Sequence, residues 1–321
     1  MLLTRAFDSK VLSLQRQGRL GAYISCTGEE GAIVPSAYAL EKEDWMFTSY
    51  REVGAHIVMG LPIELMFAQL FGNSSDLLKG RQMSNSWGSR ELNIVPTAAP
   101  IGAYLPVAVG LAIAAKISKK DNIAVLAYMG DGGTSSSDFH TALNFAGVFK
   151  APIVFICRNN GWAISVPVSR QTGSETLAIK AKAYGFEGIR IDGNDAIVVY
   201  ETTKHALDKA RNGGGPTLIE TLTYRIGAHS TADDPSRYRD TKEAESWVRK
   251  DPVAVLRKHL VDRKILDEKM DEKLLVEASE IVASAATKEE AIPPLSPEKL
   301  IFDDVYSELP KSLLEQCGEE N

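Results

Sequence analysis

Two short polar signatures in this chain could together hold a metal-bridged diphosphate. The first is Met129-Gly130-Asp131-Gly132-Gly133. The second is Arg158-Asn159-Asn160, with 26 residues running from Gly133 through Arg158. A hard cation takes oxygen ligands, and Asp131 and Asn160 supply a carboxylate and an amide oxygen. The glycines let backbone N–H groups reach phosphate oxygens with no Cβ in the way. Either piece alone is better read as an ordinary turn. Placed at two strand ends with one helix between them, the pair reads as a cofactor site. A diphosphate with one divalent ion stays anionic and needs further cations and donors. Arg51, Arg158, His229 and the backbone of Gly132 and Gly133 are the candidates. Any one of those arginines alone reads as a solvated surface residue, and a lone histidine as a structural one.

The elements that must position these residues follow from the apolar pattern. A run at 123–129 leads into the Gly-Asp-Gly turn, a helix is expected over roughly 137–149, and a second apolar run, 152–157, ends in the two asparagines. Parallel strands joined by a crossover helix finish on the same edge of a sheet. Asp131 and Asn160 therefore both reach the carboxyl edge, where open α/β sheets bind ligands. The crossover helix starts beside the glycine turn, so its N-terminus favours an anion as well. Further helices are expected at 5–17, 32–40, 62–71, 101–115, 176–184, 196–211 and from 252 to about 287, and further strands at 45–47, 188–191 and 217–223. This alternation predicts an α/β fold, a mostly parallel sheet with helices on both faces.

Two stretches stand apart. Residues 72–97 are loop-rich, and 226–240 form a long polar segment with few apolar side chains. Loops of that length in compact domains are usually functional or disordered, and this one is expected to gain order with its cofactor. A break at Ile292-Pro293-Pro294 separates a domain over 1–291 from a C-terminal tail over 292–321, expected to pack on the domain or on a partner.

Composition narrows the class. With 321 residues, 44% hydrophobic and 24% charged, the chain has the make-up of a globular protein. Its net charge of −6 argues against a nucleic-acid partner. The run 101–115 is interrupted by Gly102, Pro106 and Gly110 and is too short to span a bilayer. Cys26, Cys157 and Cys317 are odd in number and lack metal-ligand spacing, which suits a reducing compartment. Met1-Leu2-Leu3 runs straight into charged and polar residues, without a secretory or transit pattern. The expectation is a cytoplasmic protein, or one of the mitochondrial matrix if a transit peptide was removed.

The spacing of the two signatures resembles the thiamine diphosphate motif, GDG followed by about 25 residues and NN. More broadly, the whole chain resembles the alpha subunits of heterodimeric 2-oxoacid dehydrogenases, and most closely the branched-chain group. The segments that carry the resemblance are Gln15-Arg16-Gln17-Gly18-Arg19, Gly28-Glu29-Glu30-Gly31, Tyr50-Arg51-Glu52 and Gly80-Arg81-Gln82-Met83. They continue, in the family's order, with CRNNGWAIS from Cys157, RIDGND from Arg190, YRIGAHSTADD from Tyr224 and FDDVYSELP from Phe302.

The resemblance implies a thiamin diphosphate-binding fold whose cofactors are thiamine diphosphate and Mg2+. Asp131, Asn160 and the carbonyl of Trp162 would be the metal ligands. Tyr50, Arg51, Arg158 and His229 would surround the diphosphate, with Gly130, Gly132 and Gly133 in the binding turn. Ile101 matches the bulky residue on which the bent cofactor rests. His229 would also lie near the reacting centre, and Ser230 takes a position phosphorylated by a dedicated kinase in animal relatives. Departures exist. Ala98-Ala99-Pro100-Ile101-Gly102-Ala103-Tyr104 lacks the hydroxyl and amide side chains that help hold a potassium ion in the animal enzymes. Ala228 stands where relatives have a second histidine, and Trp162 replaces a tyrosine.

In this family the ylide of the cofactor adds to a 2-oxoacid, carbon dioxide leaves, and the acyl group passes to a lipoyl arm. The activating glutamate lies on a separate beta subunit, so the expected partners are that subunit in a two-alpha, two-beta heterotetramer and a lipoyl-bearing acyltransferase of the multienzyme complex. Pyruvate and acetoin dehydrogenase alpha subunits share the metal motif and are the alternatives. A non-catalytic scaffold is a second alternative. A nucleotide-binding turn is a third, opposed by the absence of Gly-x-Gly-x-x-Gly after the strand.

Overall fold

The computed structural model describes residues 1–120, 122–296, 300–302 and 304–316. Cys317 and residues 297–299 and 303 of the tail segments named above lie outside them. In chain order the strands are β1 (Trp45–Phe47), β2 (Ile94–Val95), β3 (Val125–Gly130), β4 (Ile153–Asn159), β5 (Trp162–Ala163), β6 (Val166–Pro167), β7 (Glu187–Asp192) and β8 (Thr217–Leu222). Six of them form one sheet in the order β2-β1-β3-β4-β8-β7. Every ladder in it is parallel. β5 and β6 form a separate antiparallel hairpin.

The sheet is covered on both faces, as its strands require. β3 and β4 are buried along their lengths, and successive side chains point to opposite faces. Leu126 and Tyr128 join Val154 and Ile156 in one core, against α1 (Leu2–Arg16), α2 (Glu30–Tyr38), α4 (Ile63–Phe71), α7 (Ala196–Arg211) and α10 (Glu268–Glu290). Val125, Ala127 and Met129 join Ile153, Phe155 and Cys157 in the other, against α5 (Tyr104–Ile117) and α6 (Ser137–Phe149). Among the described residues no helix is long and apolar enough to cross a membrane.

Local signals set the elements that reach the site. α6 starts where Ser136 Oγ accepts the Phe139 amide at 3.2 Å, carries Asp138 in its first turn, and ends at left-handed Lys150. Its bounds match the crossover helix expected from the sequence. α7 starts on Asp195, whose carboxylate accepts the amides of Ile197 and Val198.

Three expectations change. The helix expected from 101 begins at Tyr104, because Gly102 adopts a left-handed φ of +87° and Pro100 accepts the Ala103 amide in a turn. Ile101 is thereby left outside the helix at the sheet edge. The 176–184 segment is a tight 3-10 turn over Ala178–Tyr184, anchored where Glu220 accepts the Ala178 amide at 2.9 Å. The polar stretch 226–240 is followed by a helix not read from the sequence, α8 (Thr241–Val248), which starts on Asp240. Short α3 (Val53–Val58) was likewise not read, and α9 (Pro252–Asp262) with α10 fills the expected helical region after 252. At the start of the tail, Ser74 donates to the Pro293 carbonyl at 2.9 Å, and Arg81 reaches Asp304 at 3.0 Å.

The β7 edge depends on a missing side chain. A Cβ on Gly188 would sit 1.9 Å from the Ala178 carbonyl oxygen, a backbone atom that cannot swing away. Gly188→Ala is expected to destabilise the protein by roughly 1–3 kcal/mol, the usual cost of overpacking. The urea-unfolding midpoint measures it, and an unchanged midpoint would show that the 178–184 turn yields freely.

Candidate functional site

The ladder between β3 and β4 sets Gly130 opposite Arg158. Asp131 therefore leaves one strand at the level where Asn159 and Asn160 leave the next. After Gly130 the chain makes a tight turn over Asp131–Ser135 and enters α6. A cavity of about 300 Å³ opens at this carboxyl edge. Its walls include Tyr50, Arg51, Ile101, Gly130, Asp131, Gly132, Gly133, Arg158, Asn160, Trp162 and His229. Ser230 is the one candidate residue that does not line it. A larger apolar groove of about 620 Å³ lies between α1, α2, α7 and α10, but the polar groups converge at the carboxyl edge.

Two residues explain the glycine turn. A Cβ on Gly132 would stand 2.6 Å from the Ala163 Cβ, so glycine lets the β5–β6 hairpin close against the turn. Asn160 shapes the other side: its Oδ1 accepts the Trp162 amide at 3.1 Å and its Nδ2 donates to Glu29 at 3.0 Å. Asp131 accepts from Gln171 Nε2 at 2.7 Å. Burial raises the Asp131 pKa, and the Gln171 hydrogen bond works against that shift.

Behind the cavity lies a buried ion network. Glu29 and Glu52 have no exposed surface, and Arg51 and Arg158 are 2% exposed. Arg158 pairs with both Glu29 and Glu52, and its Nη2 donates to Ser49 Oγ at 3.0 Å. Its Nε has no partner. Arg51 lies 3.5 Å from Glu29, donates to the Ser25 carbonyl, and reaches His229 Nδ1 and the His229 carbonyl, each at 3.2 Å. Burial alone would lower the Arg158 pKa, but Glu52 and Glu29 more than offset it and hold it above its ordinary value. Arg158 thus stays charged although it is buried.

His229 is the opposite case. Burial first, then the charges of Arg51 and Arg225, push its pKa down to about 4. The ring is neutral near pH 7. Its Nδ1 faces two guanidinium donors, Arg51 at 3.2 Å and Arg225 at 3.4 Å, so Nδ1 accepts and the proton sits on Nε2. Tyr50 meets the ring edge-on, with centroids 5.9 Å apart. Arg225 also donates to the Trp162 carbonyl at 3.2 Å, to the Ile164 carbonyl at 2.7 Å and to the Tyr238 hydroxyl at 2.9 Å.

The 226–240 loop has few apolar anchors, and polar ones do the holding. Arg239 donates to the carbonyls of Arg225, Ile226 and Gly227. Asp233 accepts from the His229 amide at 2.7 Å and from the Tyr238 hydroxyl at 2.6 Å. Thr231 donates to the Tyr23 carbonyl at 3.0 Å. Ser230 sits within this arrangement, its Oγ accepting the Ala232 amide at 3.3 Å.

Sequence reasoning missed Glu29, Glu52, Ser49, Gln171 and Arg225 as individuals. Glu29 and Glu52 lie inside quoted segments, Gly28-Glu29-Glu30-Gly31 and Tyr50-Arg51-Glu52, which was their one visible signal. Tyr104 fills the cavity wall and donates to the Tyr128 carbonyl at 2.8 Å.

Fold and cavity together define a class: a parallel α/β protein with a carboxyl-edge site suited to an anion and a hard cation. The chain belongs to the dehydrogenase E1 component family, whose model matches residues 1–298. That family depends on thiamine diphosphate. The chain is 41% identical over 317 residues to the human mitochondrial 2-oxoisovalerate dehydrogenase subunit alpha, covering 98% of this chain and 71% of that one. It is 40% identical over 316 residues to the 3-methyl-2-oxobutanoate dehydrogenase subunit alpha of Mycobacterium tuberculosis, covering 98% and 83%. The corresponding figures for subunit alpha 1 of the Arabidopsis thaliana mitochondrial 2-oxoisovalerate dehydrogenase are 41% over 317 residues, 98% and 67%.

The depressed His229 pKa carries a pH signature. In the unfolded chain the ring titrates near its ordinary 6.5, and in the folded protein near about 4. Between those values the unfolded state binds more protons, so this term stabilises the fold above pH 6.5 and is lost as pH falls toward 4. Urea midpoints of cofactor-free protein across that window should fall less steeply for His229→Gln than for wild type. Parallel profiles would show that His229 is not desolvated.

Proposed function

We propose that this chain is the alpha subunit of a branched-chain 2-oxoacid dehydrogenase. In this reading it contributes the diphosphate-gripping half of an active site for oxidative decarboxylation of 3-methyl-2-oxobutanoate and related 2-oxoacids. The observation that carries it is the meeting of Asp131, Asn160 and the Trp162 turn with two buried arginines in one carboxyl-edge cavity. The names borne by the relatives supply the substrate class.

The residues present fit thiamine diphosphate and Mg2+. One carboxylate, one amide oxygen and one main-chain carbonyl are the donor set of a hard cation that completes its shell with phosphate and water. Asp131, Asn160 and the Trp162 carbonyl would hold Mg2+. Arg51, Arg158 and the turn at Gly130, Gly132 and Gly133 would hold the diphosphate, with Tyr50 beside them.

When bound, thiamine diphosphate supplies the nucleophilic carbon and the electron sink for decarboxylation. The chain's own contribution is placement and proton control. Glu29 and Glu52 fix the two guanidinium groups before any ligand arrives, so little reorganisation is needed on binding. His229 keeps its proton on Nε2, where it can donate to an anion or to an arriving acyl acceptor. Ile101 is 46% exposed at the cavity edge and offers an apolar rest outside its helix.

The other half of the site belongs to a partner. Asp131 is the only carboxylate among the described residues lining the cavity, and it is assigned to the metal. The group that activates the far end of the cofactor must then come from another chain, in our reading a beta subunit in a two-alpha, two-beta assembly that serves a lipoyl-bearing acyltransferase. Exposed Val107 and Ile117 on α5, with Phe145, Val148 and Phe149 on α6, give apolar surface for such a partner. The division into a 1–291 domain and a 292–321 tail, and a cytoplasmic location suited to the free thiols of Cys26 and Cys157, belong to the same proposal. So does a regulatory role for Ser230.

Two measurements test it. The chain reconstituted with its beta subunit should turn over 3-methyl-2-oxobutanoate faster than pyruvate, and equal or faster turnover of pyruvate would sink the branched-chain assignment. Asp131→Ala should abolish Mg2+-dependent thiamine diphosphate binding, read by calorimetry. Retained binding would point instead to a scaffold protein.

A further inference from the structure

Gln171 lies beyond every motif that suggested the site, yet its side chain reaches into it. It follows a short helical turn over Val168–Arg170. Its Nε2 donates to Asp131 Oδ2 at 2.7 Å and to the Val166 carbonyl at 2.9 Å. Both partners are acceptors only, so chemistry fixes which end of the amide faces them. Its Oε1 is buried and unpartnered. Val166 belongs to the β5–β6 hairpin, where Ala163 pairs with Val166 and Trp162 with Pro167.

One amide group therefore joins two separate pieces of chain. On one side is the carboxylate at the end of β3; on the other is the hairpin that presents the Trp162 carbonyl. Other bonds hold the hairpin too. Asn160 Oδ1 accepts the Trp162 amide, and the Gly161 carbonyl accepts the Val168 amide at 3.1 Å. None of those reaches Asp131. An aspartate side chain at a strand end can turn about its own bonds. Engaging Oδ2 removes that freedom and leaves Oδ1 as the oxygen available to a cation. Gln171 touches neither diphosphate-binding arginine.

We propose that Gln171 is a positioning residue for the cation site, fixing the Asp131 carboxylate and the Trp162-bearing hairpin as a single preset ligand unit. The inference rests on the reading of Asp131 as a metal ligand. Its consequence is selectivity as well as affinity. Mg2+ demands near-ideal octahedral geometry, whereas Ca2+ tolerates variable, looser shells. A ligand unit that has lost its strap should lose Mg2+ more than Ca2+.

The experiment uses the assembled alpha–beta protein with thiamine diphosphate and Mn2+ as the probe, free Mn2+ being read by electron paramagnetic resonance. Gln171→Ala and Gln171→Met should each raise the apparent Mn2+ dissociation constant about 10- to 100-fold, the usual effect of removing an outer-sphere partner. Displacement of Mn2+ should then need a larger rise in Mg2+ than in Ca2+, relative to wild type. Methionine keeps the packing and loses the hydrogen bonds, so wild-type affinity in Gln171→Met would overturn the proposal, as would equal losses for Mg2+ and Ca2+. Asp131→Ala separates the two readings. If it binds Mn2+ like wild type, the metal assignment fails and the inference with it. If it loses Mn2+ while both Gln171 variants bind normally, the metal assignment stands and Gln171 is not a positioning residue.

Discussion

Glu29 has no contact with solvent, yet its carboxylate meets Arg158, Arg51 and Asn160 together. Three segments far apart in sequence are registered on that one group: the turn before α2, the stretch after β1 and the end of β4. A buried carboxylate is costly unless its charge and lone pairs are met. Here they are met only when all three segments stand in their native places. Glu52 repeats the arrangement on Arg158 from the other side. Removing one partner from such a network typically costs about 3–5 kcal/mol, because the others are left buried and uncompensated. The arginines proposed to grip an anion are thus held by the same charges that tie the sheet's carboxyl edge together.

That constraint explains why Arg158 can stay ionised although it is buried. Two guanidinium groups facing the same cavity repel each other, and burial penalises both. Glu29 and Glu52 balance them one for one. A bound anion therefore meets donors already aimed, in a medium where each charge acts over short range with little screening. His229 plays the contrasting part. Burial, and then the charges of Arg51 and Arg225, keep its ring neutral near pH 7, which leaves a donor at Nε2.

Much of this was legible in the sequence where chemistry is local. The meeting of Asp131 and Asn160 at one edge was legible because each follows a continuous apolar run, and parallel strands joined by one helix end on the same edge. α6 and α7 were legible to the residue because a capping side chain opens each. What stayed hidden is what tertiary contact alone creates. Gln171 is an ordinary polar residue in the one-dimensional string, and only its hydrogen bonds to Asp131 and to the Val166 carbonyl of the hairpin bring it to the edge. The tight turn at 178–184 was hidden for the same reason, since its shape answers to Glu220 and Gly188 on neighbouring strands. Ile101 was placed in a helix by composition, and one left-handed glycine removed it.

The pairing of Gly130 with Arg158 has a further consequence, for how such a site can change over time. The two ends of the β3–α6–β4 unit are locked to each other by backbone hydrogen bonds, but the helix between them rides on the outer face. A residue gained or lost where α6 meets β4 leaves both strand ends in place. A residue gained or lost inside a strand turns every later side chain of that strand to the opposite face, and in β4 this would carry Arg158 to the face where Phe155 and Cys157 pack. Length drift is therefore tolerated between the two signatures and forbidden at their margins, so such a motif is better defined by its ends than by the count between them.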